Sequence, residues 1–434
     1  MGAVKRKISK NTIIDFIVVF LQITYGMCIV QALTLSRLHI PLYIDLILIT
    51  GLAFLVRFKR LPFISYKHKW LLFIFFLVYV LDFFQNFSYD FVHSVVRLFF
   101  LLNILVFVEY LCAMYYFSGS YKKDLRTVTA PLAYFSIYNA IVITICLFFL
   151  LTGIFSINNN ILGDNPLIHD NYSKGAVYSF PGYLSLVLHN SNRTLSSLNI
   201  PALSGITHEP HVLFYLIGAG YFLLKDKCTN SKQSIITLLL FIVALVASSS
   251  TTAIIVFLLC LVVDFVWKVI VNKDYKSLFY LIFLFIPLVL FLYSHFDELF
   301  NSVSLMLETQ LGGNEDSSKG TSEAMLSYVI SPEGVFGRGN MPDGDYDQSL
   351  SKLDIGIVTS FFDLVIFVSV LIISLKNVFS KDKHIHYVGM AVLYYTLHNL
   401  KMSFQGFNYP YMAYMIVLSL FTFTLSKNRR NAEF

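Results

Sequence analysis

Long apolar segments separated by short polar ones run through almost the whole chain of 434 residues. A helix that crosses a membrane needs about 20 apolar residues, because each residue adds about 1.5 Å to its length. Measured against this length, the pattern predicts twelve spanning helices, at 12–33, 39–56, 70–87, 94–117, 131–155, 210–224, 233–247, 251–267, 277–294, 354–375, 385–402 and 408–426. The composition agrees, since 56% of the residues are hydrophobic and only 13% are charged, against about a quarter charged in soluble domains. We therefore predict an all-α polytopic membrane protein, with residues 1–434 forming a single integral membrane domain.

The basic residues occur in alternate connections between these helices. If the N-terminus is cytoplasmic, most of the 32 Lys and Arg residues fall in seven segments on the cytoplasmic side, at 5–10, 57–69, 122–126, 225–232, 268–276, 376–383 and 427–430. Cytoplasmic loops of membrane proteins carry an excess of Lys and Arg. The alternation predicts that both termini are cytoplasmic, and it assigns the net charge of +6 to membrane orientation rather than to nucleic-acid binding.

Two connections are much longer than the others, at 156–209 and 295–353, and both fall on the outer, periplasmic side in this topology. Loops longer than about 15 residues in a compact protein are usually functional. We therefore expect the functional residues at the outer membrane surface.

The first long loop ends in a polar stretch that leads directly into an apolar helix. It contains Arg193 and finishes with His208, Glu209, Pro210 and His211; residues 208–211 are called the helix entry below. Proline is favoured at the first position of a helix, so a helix is predicted to begin at 210. Two interpretations stay open: the helix N-terminus binds a phosphate or another anion, or Glu209 only caps the helix and the histidines lie in a solvated loop.

Ionisable residues inside the predicted spans cost roughly 2.5 to 3.5 kcal/mol each at a helix centre, so each needs a partner or a function. Asp15 and Asp264 lie nearer the cytoplasmic ends of their helices, where solvent or a structural partner could satisfy them. Arg97 lies close to the outer end of the fourth helix. It either pairs with Asp45 or Asp82, or holds an anionic lipid head group through its planar guanidinium.

Arg193 and Arg338 are the only arginines in the two long loops. Gly337 and Gly339 flank Arg338 and permit a tight turn and a close approach of the backbone to a ligand. The two arginines are either separate solvated charges or two cations that converge on one anion.

On the eleventh predicted helix, Tyr394, His398 and Lys401 follow the spacing i, i+4 and i+7 and therefore share one face. Tyr and Lys near a helix end commonly anchor a helix at the membrane interface. If the face instead turns inward, His398 could donate a proton or orient a sugar.

Three segments in the second half of the chain resemble a known family. They are Arg193 followed by Gly205 and HEPHVLFYLIGAGYFLL from His208; SSSTT at 248–252; and VFGRGN at 335–340, with Asp347, Leu350 and Gly356 leading into the tenth helix. In order, spacing and topology they are similar to the O-antigen polymerase and ligase superfamily of bacterial polysaccharide assembly, and most like its Wzy-type polymerases.

The resemblance implies an integral glycosyltransferase of GT-C type in the bacterial inner (cytoplasmic) membrane, working without a metal, another cofactor or a nucleotide sugar. It implies transfer of a growing glycan from undecaprenyl diphosphate onto a lipid-linked repeat unit. The expected partners are the undecaprenyl-diphosphate-linked oligosaccharide, membrane lipid and a polysaccharide chain-length regulator, with no nucleic acid. Two alternatives stay open: an O-antigen ligase that transfers the glycan to lipid A core, and a transporter of lipid-linked oligosaccharide.

The reaction that the resemblance implies has a lipid diphosphate as its leaving group. Negative charge therefore develops on phosphate oxygens in the transition state, where fixed cations stabilise it most. We assign this role to Arg193 and Arg338, with Arg97 as a weaker third cation.

The acceptor hydroxyl must also lose its proton as it attacks, and a positioned carboxylate or imidazole can accept it. Glu209 is the first candidate for this base, with His208 or His211 in support and His398 in reserve. The helix dipole stabilises the Glu209 carboxylate and so makes it a weaker base; Glu209 could instead bind sugar hydroxyls or hold Arg193. The predicted substrate-binding residues are Arg97, His208, His211, Asp347 and Tyr395.

Overall fold

The computed structural model describes residues 10–24, 39–59, 77, 80, 91–116, 125–154, 176–179, 186–189, 202–205, 210–271, 273–274, 356–399 and 409–430. These residues are mostly helical. In chain order they form α1 (Lys10–Thr24), α2 (His39–Phe58), α3 (Phe91–Tyr116), α4 (Leu125–Leu151), β1 (Ala176–Ser179), β2 (Leu186–His189), β3 (Ala202–Gly205), α5 (Pro210–Lys227), α6 (Ser231–Ser248), α7 (Thr251–Ile270), α8 (Gly356–Val378), α9 (Lys383–Asn399) and α10 (Tyr409–Arg430).

Helices occur at ten of the twelve predicted positions within the described residues. The predicted helix at 277–294, and all of the one at 70–87 except Leu77 and Val80, lie outside them. Within the described residues, three helices are long and apolar enough to cross a membrane: Leu125–Leu151, Ser231–Ser248 and Thr252–Ile270. The prediction that a helix begins at Pro210 is confirmed.

The start of α4 was predicted wrongly. The helix begins at Leu125 rather than at 131, because the polar residues of its first turns shortened the apolar segment on which the prediction relied. Pro131 lies inside the helix, where it removes one backbone hydrogen bond. In the turn before it, the Tyr414 hydroxyl of α10 donates to the carbonyl oxygen of Val128 at 2.7 Å, so a neighbouring helix adds a bond beside the interruption.

The chain divides into two units, one comprising Met1–Lys69, Phe99–Cys260 and Ser369–Phe434 and the other Trp70–Leu98 and Leu261–Val368. In the second unit, the fully buried carboxylate of Asp264 pairs with Lys268 of the next turn of α7, at 3.2 Å. The expectation that a structural partner satisfies Asp264 is confirmed. The remaining features described here belong to the first unit.

Helix α5 packs against both α4 and α9. Every side chain from Leu213 to Leu224 is buried. A Cβ atom at Gly220 would overlap the Ser136 hydroxyl of α4, and one at Gly218 would overlap the Tyr394 ring of α9. The two glycines therefore let α5 approach a neighbour on each side, as small residues do in membrane helix pairs.

A buried polar layer joins α1, α2 and α3. The Tyr110 hydroxyl of α3 donates to Asp15 Oδ1 of α1 at 2.8 Å, and Arg57 Nε of α2 lies 3.5 Å from the same oxygen. Asp15 is only 2% exposed, so the two partners compensate a charge that would otherwise be costly inside a membrane. The expectation that Asp15 has a structural partner is confirmed.

A second, uncharged layer joins the same helices. The Gln22 side-chain amide donates to Thr50 Oγ1 at 3.0 Å and to Asn103 Oδ1 at 2.8 Å, and Asn103 donates back to Gln22 Oε1 at 2.9 Å. Each member lies seven residues from the member of the first layer on its own helix, so the two layers repeat after two helical turns. This spacing fixes the register of all three helices.

A small antiparallel sheet of order β1-β2-β3 lies within the first long loop and was not predicted. Each strand has four residues, which is too short for an alternating pattern to stand out. The four residues of β3 are buried, and β3 packs against α4, α5 and α6. Gly205 ends the strand with φ +61°, and a Cβ there would lie 3.0 Å from the Leu213 side chain of α5. The end of β3 is therefore packed against the second turn of α5.

Helices α5 and α9 run antiparallel, and an ion pair joins the C-terminal end of α5 to the start of α9. His384 Nδ1 lies 2.6 Å from Asp226 Oδ2, and the Asp226 side chain is 5% exposed. Asp226 lies beyond the span predicted to end at 224. Burial acts to raise the pKa of Asp226, but the hydrogen bond and charge of His384, together with Arg126 and Lys227, outweigh it and lower that pKa.

Replacing the α5 glycine that meets α9 is expected to destabilise the protein. Gly218→Ala places a methyl group inside the Tyr394 ring and should cost about 1 to 3 kcal/mol, the usual range for overpacking a core. Gly51→Ala in α2 is the control, because nothing lies within 4 Å of the added Cβ. Thermal unfolding of the purified proteins in detergent measures both, and equal melting temperatures would contradict this packing.

The Asp226–His384 pair is expected to make stability depend on pH in the acid range. Because the folded-state pKa of Asp226 is lowered, the unfolded chain binds more protons between the two pKa values. The Asp226–His384 pair contributes about 2 kcal/mol to the free energy of unfolding, as a hydrogen bond to a charged group does. This contribution is complete above the unfolded-state pKa of Asp226 and disappears as the pH falls through its folded-state pKa. Melting temperatures between pH 7 and pH 3 should fall less steeply for Asp226→Asn than for wild type. Asp274→Asn, at an exposed position, should follow wild type; identical profiles for all three would refute the pair's role.

Candidate functional site

The start of α5, the end of α9 and the start of α10 meet in one buried cluster. The Tyr394 hydroxyl donates to the carbonyl oxygen of Phe214 at 3.0 Å. The Tyr411 hydroxyl lies 3.2 Å from the carbonyl oxygens of both Tyr215 and Leu216. We call the group the His398 cluster; its members are Tyr215, Tyr394, Tyr395, His398, Asn399 and Tyr411. In the predicted topology these helix ends lie toward the periplasm.

Local sequence explains why α9 presents its side chains together. Asp382 precedes the helix, and its Oδ1 accepts from the backbone N–H groups of His384 at 2.8 Å and Ile385 at 3.1 Å, as an N-cap does. From this start, residues 394, 395, 398 and 399 lie on one stripe two turns long. The stripe contacts α5 and α10, and its side chains at these four positions are all buried.

His398 is held by a chain of two hydrogen bonds. Its Nδ1 lies 3.1 Å from the Tyr394 hydroxyl, which in turn donates to the Phe214 carbonyl oxygen. A carbonyl oxygen only accepts, so the single phenol proton points toward Phe214 and the imidazole must donate from Nδ1. In the neutral imidazole, this arrangement selects the tautomer with its proton on Nδ1. Nε2 then carries the lone pair and is the basic nitrogen.

Two tyrosine rings, those of Tyr215 and Tyr394, contact the imidazole of His398. The Tyr215 ring lies 5.7 Å from His398 in an edge contact, 5.2 Å from Tyr395 and 5.3 Å from Tyr411, measured between ring centroids. The Tyr215 hydroxyl also donates to Asn399 Oδ1 at 3.3 Å. These rings keep the surroundings of His398 apolar, where hydrogen bonds are electrostatically stronger than in water.

The structure brings together Tyr395 and His398 among the predicted site residues. The expectation that Tyr394 and His398 share a face is confirmed by their hydrogen bond. The interpretation of Tyr394 as a membrane-interface anchor was wrong, because its side chain is completely buried in the protein, as is that of His398. Lys401, the third residue of the predicted face, lies outside the described residues. The partners lie on α5 and α10, so packing against other helices decided the direction of the face.

The other predicted site residues remain predictions. His211 is the second residue of α5 and Arg97 lies in α3, but the structure describes only their backbone. The remaining residues lie outside the described ranges: Arg193, His208, Glu209, Arg338 and Asp347. In the sequence, residues 208 and 209 directly precede α5, the helix that contributes Tyr215 to the His398 cluster.

Three members of the cluster were missed from the sequence: Tyr215, Asn399 and Tyr411. Each lies within two turns of a helix end predicted to face the periplasm, and that position was the available signal. Because tyrosines near such ends are common interface residues, this position did not distinguish a buried cluster from a membrane-interface anchor. Pairing these helices requires knowledge of contacts between segments 196 residues apart, as for Tyr411 and Tyr215.

The described residues contain no group of three His, Cys, Asp or Glu side chains close enough to hold a metal ion. The prediction that the reaction needs no metal stays a prediction. What the His398 cluster can do with its own atoms is accept or donate a proton at an imidazole and form hydrogen bonds through phenols and an amide.

The class of protein that the structure supports is a mostly α-helical membrane protein; the described part of the chain has three helices long and apolar enough to cross a membrane. No protein-family model, curated protein or solved structure matches the chain. Any more specific function is therefore argued from the residues themselves and from the resemblance described above.

Removing the Tyr394 hydroxyl should allow His398 to adopt either neutral tautomer. In Tyr394→Phe the Nδ1 proton of His398 loses its acceptor. Nitrogen NMR of histidine-labelled protein reports the tautomer, and the His398 signal is the one that is missing in His398→Gln. In Tyr394→Phe this signal should change from that of the Nδ1-protonated form to that of a mixture of tautomers. The lost bond should also cost about 1 kcal/mol of stability. Tyr138→Phe, at a position 52% exposed, is the control and should change neither quantity. An unchanged tautomer in Tyr394→Phe would disprove the hydrogen-bond assignment.

Proposed function

We propose that this protein is an O-antigen-type polysaccharide polymerase of the bacterial inner membrane. It transfers a growing glycan from undecaprenyl diphosphate onto a lipid-linked repeat unit at the periplasmic face, as a metal-independent glycosyltransferase. The proposal includes twelve spanning helices of GT-C type, cytoplasmic termini and a chain-length regulator as partner. Its support is the motif order in the second half of the chain, together with a mostly helical fold that contains three helices able to cross a membrane.

One observation carries the proposal: a buried imidazole is connected to the first turns of the helix that follows Glu209. Phe214 lies one turn after Pro210, and its carbonyl oxygen accepts from Tyr394, which holds His398. A glycosyl transfer to a hydroxyl needs a positioned proton acceptor. The Nε2 lone pair of His398 is one such group, and Glu209, which directly precedes α5 in the sequence, is the other candidate.

In the proposed reaction the acceptor hydroxyl attacks the anomeric carbon of the glycan. A new glycosidic C–O bond forms as the C–O bond to the diphosphate breaks, and its electron pair leaves with undecaprenyl diphosphate. The acceptor proton passes to Glu209, with His398 as the second candidate. Arg193 and Arg338 stabilise the charge that develops on the diphosphate, and Arg97 is a weaker third cation.

The choice between the two bases has a physical basis. A helix N-terminus stabilises a nearby carboxylate, which makes Glu209 a weaker base and suits it to binding sugar hydroxyls or Arg193. His398 has no such constraint, and its tautomer leaves Nε2 basic. The remaining candidates for sugar contacts are His208, His211, Asp347 and Tyr395.

Glycan length in a deletion strain tests the proposal. Deletion should leave lipid A core carrying a single repeat unit, and the wild-type gene should restore the ladder of long chains on a gel. Arg193→Ala, Arg338→Ala and Glu209→Gln should each abolish long chains at normal protein level in the membrane. Loss of a general base typically lowers a rate by about 10²- to 10⁴-fold, so His398→Gln should shorten the ladder severely if Nε2 is the base.

Tyr138→Phe controls for expression, because its position on α4 is exposed and distant in sequence from every proposed site residue. Core without any repeat, with lipid-linked polymer accumulating, would identify a ligase instead. Accumulation of repeat units on the cytoplasmic side would identify a transporter. Normal chains from both arginine variants would refute the site assignment even if the polymerase activity stands.

A further inference from the structure

The middle of α5 contains two glycines within three residues, Gly218 and Gly220. Glycine favours a helix about fivefold less than alanine does, and it tolerates changes of φ and ψ that other residues resist. The close approach of α4 and α9 explains why neither position carries a Cβ. It does not explain the hydrogen bonds that the same part of α5 receives from other helices.

Three consecutive carbonyl oxygens of α5 accept from side chains of other helices. The Tyr394 hydroxyl donates to the Phe214 carbonyl at 3.0 Å. The Tyr411 hydroxyl lies 3.2 Å from the carbonyl oxygens of both Tyr215 and Leu216. In an α-helix the N–H of each residue donates to the carbonyl four residues before it. These three carbonyls are therefore the helical acceptors for the N–H groups of the two glycines and of the alanine between them.

Opening the glycine turn leaves few backbone groups without a partner. A carbonyl that loses its hydrogen bond inside a membrane is costly, but the two phenol hydroxyls remain on all three carbonyls. On the donor side, the Ser136 hydroxyl of α4 lies against Gly220. This hydroxyl donates to the Leu132 carbonyl at 2.8 Å, so its oxygen is able to accept the Gly220 N–H when the turn opens.

The two segments of α5 that flank the glycines are anchored separately. The first segment, 210–217, is held by the phenols of α9 and α10 through its backbone carbonyls. The second segment, 221–227, is held by the ion pair of Asp226 with His384 at 2.6 Å. Each segment therefore keeps its own contacts when the turn between them bends.

We infer that residues 218–220 form a hinge in α5, at which the first segment bends relative to the second. The phenols of Tyr394 and Tyr411 hold the carbonyls that the bend releases. The hinge itself does not depend on the proposed polymerase activity, but its role rests on that function. The first segment directly follows Glu209 in the sequence, so bending moves the start of α5 as the lipid-linked glycan enters and leaves.

Hydrogen exchange of the full-length protein in detergent tests the hinge. Mass spectrometry with electron-transfer fragmentation resolves single amides, and protection factors correct for the intrinsic exchange rate of each residue type. In the wild type, the amides of 218–220 should be about tenfold less protected than those of 222–224, because two glycines weaken the turn. All six residues are buried, so exposure alone predicts no difference. Equal protection of the two sets would overturn the inference.

Tyr411→Phe separates a hinge from simple packing. In the closed helix the carbonyls of Tyr215 and Leu216 also have helical donors, whereas in the open turn they depend on the Tyr411 hydroxyl. Removing this hydroxyl makes opening less favourable, so protection at 218–220 should rise about fivefold, as expected for one hydrogen bond. If the hydroxyl only fastens α5 to α10, its loss loosens the helix. Unchanged or lower protection in Tyr411→Phe would therefore refute the hinge.

Tyr414→Phe is the matched control. Tyr414 is also a buried phenol of α10 that donates to a backbone carbonyl, but that carbonyl belongs to Val128 of α4. Protection at 218–220 should stay at the wild-type value in this variant, and an equal rise in both variants would contradict the hinge. The wild-type profile tests the hinge even if a variant fails to fold. Because exchange is measured without a glycan substrate, its outcome is separate from the deletion-strain test of the proposed function.

Discussion

The close approach of α5 to its two neighbours is the constraint on which the rest of the described first unit depends. Gly220 admits α4 on one side and Gly218 admits α9 on the other. In a membrane, helix association gains little from the hydrophobic effect and relies on close packing and hydrogen bonds between helices. The missing side chains provide that packing, and the hydroxyl of Tyr394 reaches a backbone carbonyl of α5 only because its ring can lie against Gly218.

This packing links the two ends of the α5–α9 pair. At one end Tyr394 fixes the tautomer of His398, and at the other His384 pairs with Asp226. Both ends use a histidine of α9 with an oxygen acceptor, but their surroundings differ. His398 lies among tyrosine rings, whereas His384 lies among cations. One antiparallel helix pair thus presents a nearly apolar site at one end and a strongly charged site at the other.

Part of this arrangement could be predicted from sequence. Pro210 marked the start of α5, and the four-residue spacing of Tyr394 and His398 put both on one face. The inward direction of that face could not be predicted, since its partners Phe214 and Tyr394 are 180 residues apart and hydropathy does not specify which helices pair. The strands of the first loop were missed because four residues give too little pattern. Of the proposed catalytic residues, only His398 lies where the structure describes a side chain, so the chemistry still depends on resemblance.

The two polar layers of α1, α2 and α3 have a consequence for how the chain enters the membrane. Asp15 and Gln22 emerge first during synthesis, but their complete set of partners includes Tyr110 and Asn103 of α3. Until α3 arrives, α1 carries a carboxylate and an amide that lipid cannot satisfy. Helices α1 and α2 are therefore expected to leave the insertion machinery together with α3 rather than one by one. The seven-residue spacing then favours one register of the three helices, because a shift of one helix by one turn would leave the polar side chains of both layers without their partners.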